Sequence, residues 1–160
     1  MTQTVPNTHM ISSPVDLLQI IQQIELSTSH HLFYLGLNSP NDVANCSPQT
    51  ALDVSRNPLI ALFFACVDNS SNNGEIIIYH IPKQKISRSL MGYDNDILVR
   101  TERGTFIFVN DQQHEASLLA KDKLSKAPIE IIVNKDAKQS IIHELEKLGV
   151  SMITLYPEMA

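Results

Sequence analysis

The 160-residue chain has no tryptophan, only two cysteines and only five glycines, and its 12 Lys and Arg are outnumbered by 17 Asp and Glu. Each shortage excludes a class of protein. The two cysteines, Cys46 and Cys66, come without a second pair and without a histidine at metal-ligand spacing, so neither a disulfide framework nor a zinc site is expected, and both are read as free thiols. A formal net charge of -5, with no stretch that clusters Lys and Arg among aromatics, excludes duplex nucleic acid as a partner, because phosphate binding needs concentrated positive charge. The longest apolar run, Leu59 to Val67, is far short of the roughly 20 residues that cross a bilayer, so no membrane anchor is expected. The polar stretch from Met1 to Ser13 lacks the apolar core of a signal peptide, and a cytoplasmic location is the expectation. Gly-rich phosphate loops, Gly-x-Ser-x-Gly turns and Cys-x-x-Cys pairs are also missing, which removes support for the common motif-defined enzymes.

What remains is 43% apolar and continuous enough for one core. The pattern reads as a flexible N-terminus over 1–12 followed by a single α+β domain over 13–160. Ser13-Pro14-Val15-Asp16 opens a helix with a capping serine, a first-turn proline and a first-turn carboxylate; Leu17, Leu18, Ile21 and Ile24 make its buried face. His31 to Gly36 is a short buried strand, and Asn38 to Pro48 a loop. Asn57-Pro58 starts a second helix, Pro58 to Val67, that has no polar face and must therefore be covered on every side. Strands follow at Glu75 to Ile81, ended by Pro82, at Ile97 to Arg100, at Thr105 to Val109 and at Ile129 to Val133. A weaker helical pattern lies over Glu115 to Leu124. Ile141, Ile142, Leu145 and Leu148 form the face of a later helix that Gly149 ends, and Ser151 to Leu155 closes the pattern as a strand. The architecture expected is a mostly antiparallel sheet, containing Glu75 to Ile81, Thr105 to Val109, Ile129 to Val133 and Ser151 to Leu155, around the central apolar helix.

Polar residues beside rigid apolar elements are the candidates for chemistry: Asp53, Ser55, Arg56 and Asn57 before the central helix, and Glu102 and Arg103 before Gly104. Free amides at a helix start bind anions, and the same residue types also serve as ordinary caps. His30-His31 offers two imidazoles in sequence, but adjacent strand residues face opposite sides, which favours a structural role for the pair.

Ser47-Pro48-Gln49-Thr50-Ala51-Leu52-Asp53-Val54-Ser55-Arg56-Asn57-Pro58, running into Leu59 to Cys66, resembles the central motif of the FRG-domain family. That motif is typically leucine-proline-threonine-arginine-leucine-leucine-aspartate, then Thr or Ser, Asn-Pro, and an apolar helix ending in phenylalanine-alanine. Glu102-Arg103-Gly104-Thr105-Phe106 is similar to the family's glutamine-x-glycine-x-phenylalanine segment, and the polar turn with Gly74, the strand after it and the closing Leu155-Tyr156-Pro157-Glu158 continue the likeness. The departures fall on cations. Tyr34-Leu35-Gly36 stands where the family's phenylalanine-arginine-glycine would be, so Leu35 replaces an arginine, and Gln49-Thr50 stands in place of threonine-arginine. The connection from Gly36 to Ser47 is also shorter than is usual in the family.

The FRG pattern is in turn distantly similar to ADP-ribosyltransferases. The resemblance implies an ADP-ribosyltransferase-like fold, with Ser55 and Glu102 as catalytic residues and Tyr34, Asn57 and Arg56 around a dinucleotide. With both motif arginines replaced, it implies first a catalytically weakened or inactive module that binds a protein partner, as an accessory, regulatory or host-interaction factor. The alternative it implies is an NAD-dependent ADP-ribosyltransferase-like enzyme or toxin, in which Arg56, Arg100 or Arg103 supplies the missing cation and NAD is the cofactor. Tyr34, Ser55, Asn57 and Glu102 are expected to converge on one cleft.

Overall fold

Four strands, β1 (Thr8–Ile11), β2 (His30–Leu37), β4 (Gly74–Pro82) and β8 (Ile129–Val133), build the sheet on which the central helix rests, in the order β1-β8-β4-β2. The computed structural model describes residues 8–39, 53–67, 71–82, 86–87, 98–100, 106–108 and 128–155. The helices are α1 (Pro14–Gln22), α2 (Pro58–Cys66), α3 (Lys138–Lys147) and α4 (Met152–Leu155), with a 3-10 turn, Lys135–Ala137, leading into α3. A second four-stranded sheet, ordered β3-β7-β6-β5, is formed by β3 (Asp53–Val54), β5 (Ile86–Ser87), β6 (Leu98–Arg100) and β7 (Phe106–Phe108).

The chain is thus α+β, with a mixed main sheet. β2 and β4 pair antiparallel from His30 opposite Pro82 to Leu37 opposite Glu75, and β4 pairs antiparallel with β8. β1 runs parallel to β8, with Thr8 opposite Glu130 and Ile11 opposite Val133. Thr8–Ile11 therefore belongs to the folded sheet, not to the flexible N-terminus that sequence places over 1–12; its four residues are too few to carry a readable alternation.

Both faces of the main sheet are buried at its centre. Tyr34, Ile76, Ile78, Ile129, Ile131 and Val133 pack with α1, α2 and α3 on one face, while Phe33, Leu35, Leu37, Ile77, Tyr79 and Ile81 alternate onto the other and are equally withdrawn from water. A sheet covered twice explains why β4 reads as an unbroken Ile-Ile-Ile run and not as apolar-polar alternation.

Helix starts follow the caps legible in the sequence. Ser13 Oγ accepts from the Asp16 amide at 3.1 Å and Asp16 Oδ2 accepts from Ser12 N at 3.0 Å; Asn57 Oδ1 accepts from Leu59 N at 2.9 Å. Helix α2 buries Ala61, Leu62, Phe63, Ala65 and Cys66, and Leu59 and Phe64 pack partly against the same core. Gly149, at φ 87, ends α3: Val150 N donates to Leu145 O at 2.9 Å and Gly149 N to Glu146 O at 3.1 Å, the paired bonds of a left-handed helix stop.

Four expectations are corrected. Ser151 to Leu155 is not a strand: Ser151 N donates to Thr154 Oγ1 at 2.8 Å and Thr154 N to Ser151 Oγ at 3.4 Å, a reciprocal cap that turns Met152–Leu155 into α4 despite its β-branched residues. Phe106–Phe108 pairs with β3 and β6 in the second sheet, not with β4. On α1 the buried pair is Leu17 and Ile20, and Leu18 faces outward, because a stripe at 3.6-residue spacing passes through 17, 20, 21 and 24. On α3, Leu148 lies past the last turn and is exposed. The helical pattern over 115–124 and the loop residues 40–48 lie outside the described residues. Among the described residues no helix is long and apolar enough to cross a membrane.

Candidate functional site

Edge strand β2 meets the segment leading into α2 through a two-way backbone bridge: Tyr34 N donates to Ser55 O at 2.7 Å and Ser55 N to Tyr34 O at 2.9 Å. The bridge brings together Tyr34, Ser55, Arg56 and Asn57, four of the five residues that the resemblance makes catalytic or places around a dinucleotide. Glu102, the fifth, lies outside the described residues, as do Arg103, Gly104, Gln49 and Thr50. Asp53 lies in β3 opposite Ile107.

Local chemistry already occupies most of this cluster. Ser55 Oγ accepts from Asn57 N at 3.0 Å, and the Asn57 side chain caps α2. Both interactions fix the turn from β3 into α2. Tyr34 is 5% exposed, with its ring in the core between sheet and helices. Burial raises its phenol pKa above the ordinary value, and the positive charge of Arg56 opposes that rise. Arg56 itself is exposed. Its Nη2 lies 3.0 Å from His31 Nδ1; because a guanidinium only donates, Nδ1 accepts, which places the imidazole proton on Nε2. The His31 ring also meets Phe33 edge-on at 6.4 Å between centroids. The arrangement presents one solvent-facing cation beside a buried phenol, with Ser55 and Asn57 committed to backbone amides.

Leu35 lies on the opposite face of β2 from Tyr34. It is 2% exposed and shares its sheet face with Phe33 and Leu37, opposite Ile77 on β4. Its neighbour Tyr34 points to the helix-covered face, so the Leu35 side chain and the Tyr34 ring lie on opposite sides of the sheet. Gly36 has a packing reason of its own: a Cβ there would run into the carbonyl group of Ala61 on α2, so the glycine lets the helix lie directly on β2.

Two side chains escape a sequence reading. His31 joins the cluster through Arg56, which is distant in sequence, and no local pattern announces that contact. Lys138, in the first turn of α3, is 1% exposed and donates from Nζ to the Asn38 carbonyl at 2.9 Å, anchoring the end of β2; a first-turn lysine is read as solvated unless its neighbours are known. The chain matches no protein-family model, no curated protein and no solved structure.

Proposed function

We propose that this chain is an FRG-domain-like binding module with an ADP-ribosyltransferase-like ancestry of fold, whose catalytic capacity is weakened or lost and which acts by engaging a protein partner. The observation that carries the reading is Leu35, an apolar, buried residue where the resembled family places an arginine. A dinucleotide diphosphate needs charge-assisted donors, and an acidic chain lacking this one holds it poorly. The use of Ser55 Oγ and Asn57 Oδ1 as acceptors at the start of α2 supports the same reading, since it gives both side chains a structural role that needs no ligand. Met10 on β1 and Val15 and Leu18 on α1, elements that pack on each other, expose apolar surface that a protein partner would cover.

One observation favours the second reading, an NAD-dependent ADP-ribosyltransferase-like enzyme using Ser55 and Glu102. Arg56 is exposed at the Tyr34–Ser55 bridge and acts electrostatically on Tyr34, so a cation stands at the rim of the cluster. Calorimetric titration of the purified chain with NAD separates the two. The binding-module reading expects no saturable heat up to millimolar NAD. Saturable binding weakened at least about tenfold by Arg56→Ala would favour the enzyme, because one charge-assisted contact is worth about 1.5–3 kcal/mol.

A further inference from the structure

At the end of the β2–β4 ladder away from the Tyr34–Ser55 bridge, two histidines share one face. His30 lies opposite Pro82 and Leu32 opposite His80, so His30 and His80 are diagonal cross-strand neighbours, a relation that places Cβ atoms roughly 7–8 Å apart, within reach of long side chains. Each imidazole has one nitrogen held by an oxygen. His30 Nδ1 lies 3.0 Å from Ser29 Oγ, which in turn lies 3.0 Å from Ser27 Oγ. His80 is hydrogen-bonded to the backbone carbonyl of Glu25, and because a carbonyl only accepts, the ring donates. Among the described residues, one nitrogen of each ring is left over, and for His30 it is Nε2.

A metal-bound histidine is characteristically held this way, its second nitrogen donating to a carbonyl or other oxygen that fixes tautomer and ring orientation. We infer that His30 and His80 form a two-imidazole site for a late first-row divalent cation of the Zn2+ class. Among the described residues no three His, Cys, Asp or Glu side chains converge, so the protein supplies two ligands and water the others, which leaves open coordination positions. His31, next in sequence, faces the other side of β2 and accepts from Arg56, so it does not compete. The sequence reading already set His30 and His31 on opposite sides of their strand; the strand register places His30 beside His80.

The test is a Zn2+ titration of the full chain at neutral pH, followed by calorimetry and by the imidazole nitrogen resonances. One equivalent is expected to bind, shifting the His30 and His80 signals and leaving His143, exposed on α3, unmoved. His30→Ala and His80→Ala should each weaken binding by at least the ~10–100-fold that even outer partners of a metal site contribute, while His143→Ala should not change it. The resonances of the unmutated protein give the answer even if a His80 variant fails to fold. Absence of binding, or binding that shifts neither His30 nor His80, would overturn the assignment.

Discussion

The backbone of Gly36 on β2 approaches Ala61 on α2 so closely that a Cβ on the glycine would stand 2.7 Å from the Ala61 carbonyl carbon. One helical turn on, Gly74 on β4 meets Ala65 in the same way, with a Cβ 3.1 Å from the Ala65 carbonyl carbon. The apolar helix therefore lies on a floor cleared by two glycines, and the obstruction in each case is backbone, which cannot rotate away. Gly36→Ala should cost about 3 kcal/mol or more, the upper end of overpacking effects, measured by urea unfolding. A loss under about 0.5 kcal/mol would mean that the helix is not seated directly on β2.

An arginine at position 35, as in the resembled motif, should harm this protein. Leu35→Arg places a guanidinium on a buried face beside Phe33 and opposite Ile77, where its diagonal cross-strand neighbour is Glu75, a buried carboxylate that already has an interaction of its own. The expected loss is about 1–3 kcal/mol, from overpacking a filled face and desolvating a guanidinium there. A variant that kept wild-type stability and gained NAD affinity would show that the position opens onto a usable cleft.

Much of this framework is legible beforehand, and the reasons are local. Ser13 and Asn57 each precede a proline and bond to amides within three residues, and Gly149 stops α3 through bonds to the turn just before it. Capping depends on near neighbours, so sequence carries it. Ser151 to Leu155 misleads because its β-branched residues hide a Ser-x-x-Thr cap, and Phe106–Phe108 misleads because the choice between two sheets depends on distant pairing. In the candidate site, Ser55, Arg56 and Asn57 stand out by their position before an apolar helix. The Arg56–His31 contact and the burial of Lys138 do not, since both are set by strand pairing and packing between remote segments.

The Cys66 thiol should be chemically quiet. Burial pushes its pKa up to about 12, outweighing the opposing charge of Lys138. In the native protein at pH 8, site-resolved alkylation followed by mass spectrometry should find Cys66 slower than in the denatured chain by at least on the order of a thousandfold, because the thiolate is the reactive form. Comparable rates in the two states would place Cys66 at the surface.

Stability should depend on His80. Its folded pKa is depressed, mainly by burial, with the Glu25 carbonyl opposing and His30 assisting, so the unfolded chain takes up the proton first as the pH falls. The contribution is fully present above the unfolded value of about 6.5 and is lost as the pH drops through the lower folded value. Thermal melts between pH 8 and 5 should show this acid-side loss, and His80→Gln should flatten it. A profile unchanged by that substitution would assign the acid sensitivity to other groups.

Nicotinamide release from NAD tests the central claim most directly. On the proposed reading, with Ser55 and Asn57 capping α2 and an apolar, buried Leu35 in β2, the intact chain and its Glu102→Ala variant are both expected to release nicotinamide at the rate of buffer alone. Release above that background by the intact chain, falling roughly tenfold to a thousandfold in Glu102→Ala as removal of a catalytic carboxylate requires, would contradict the binding-module account and establish the enzyme in its place.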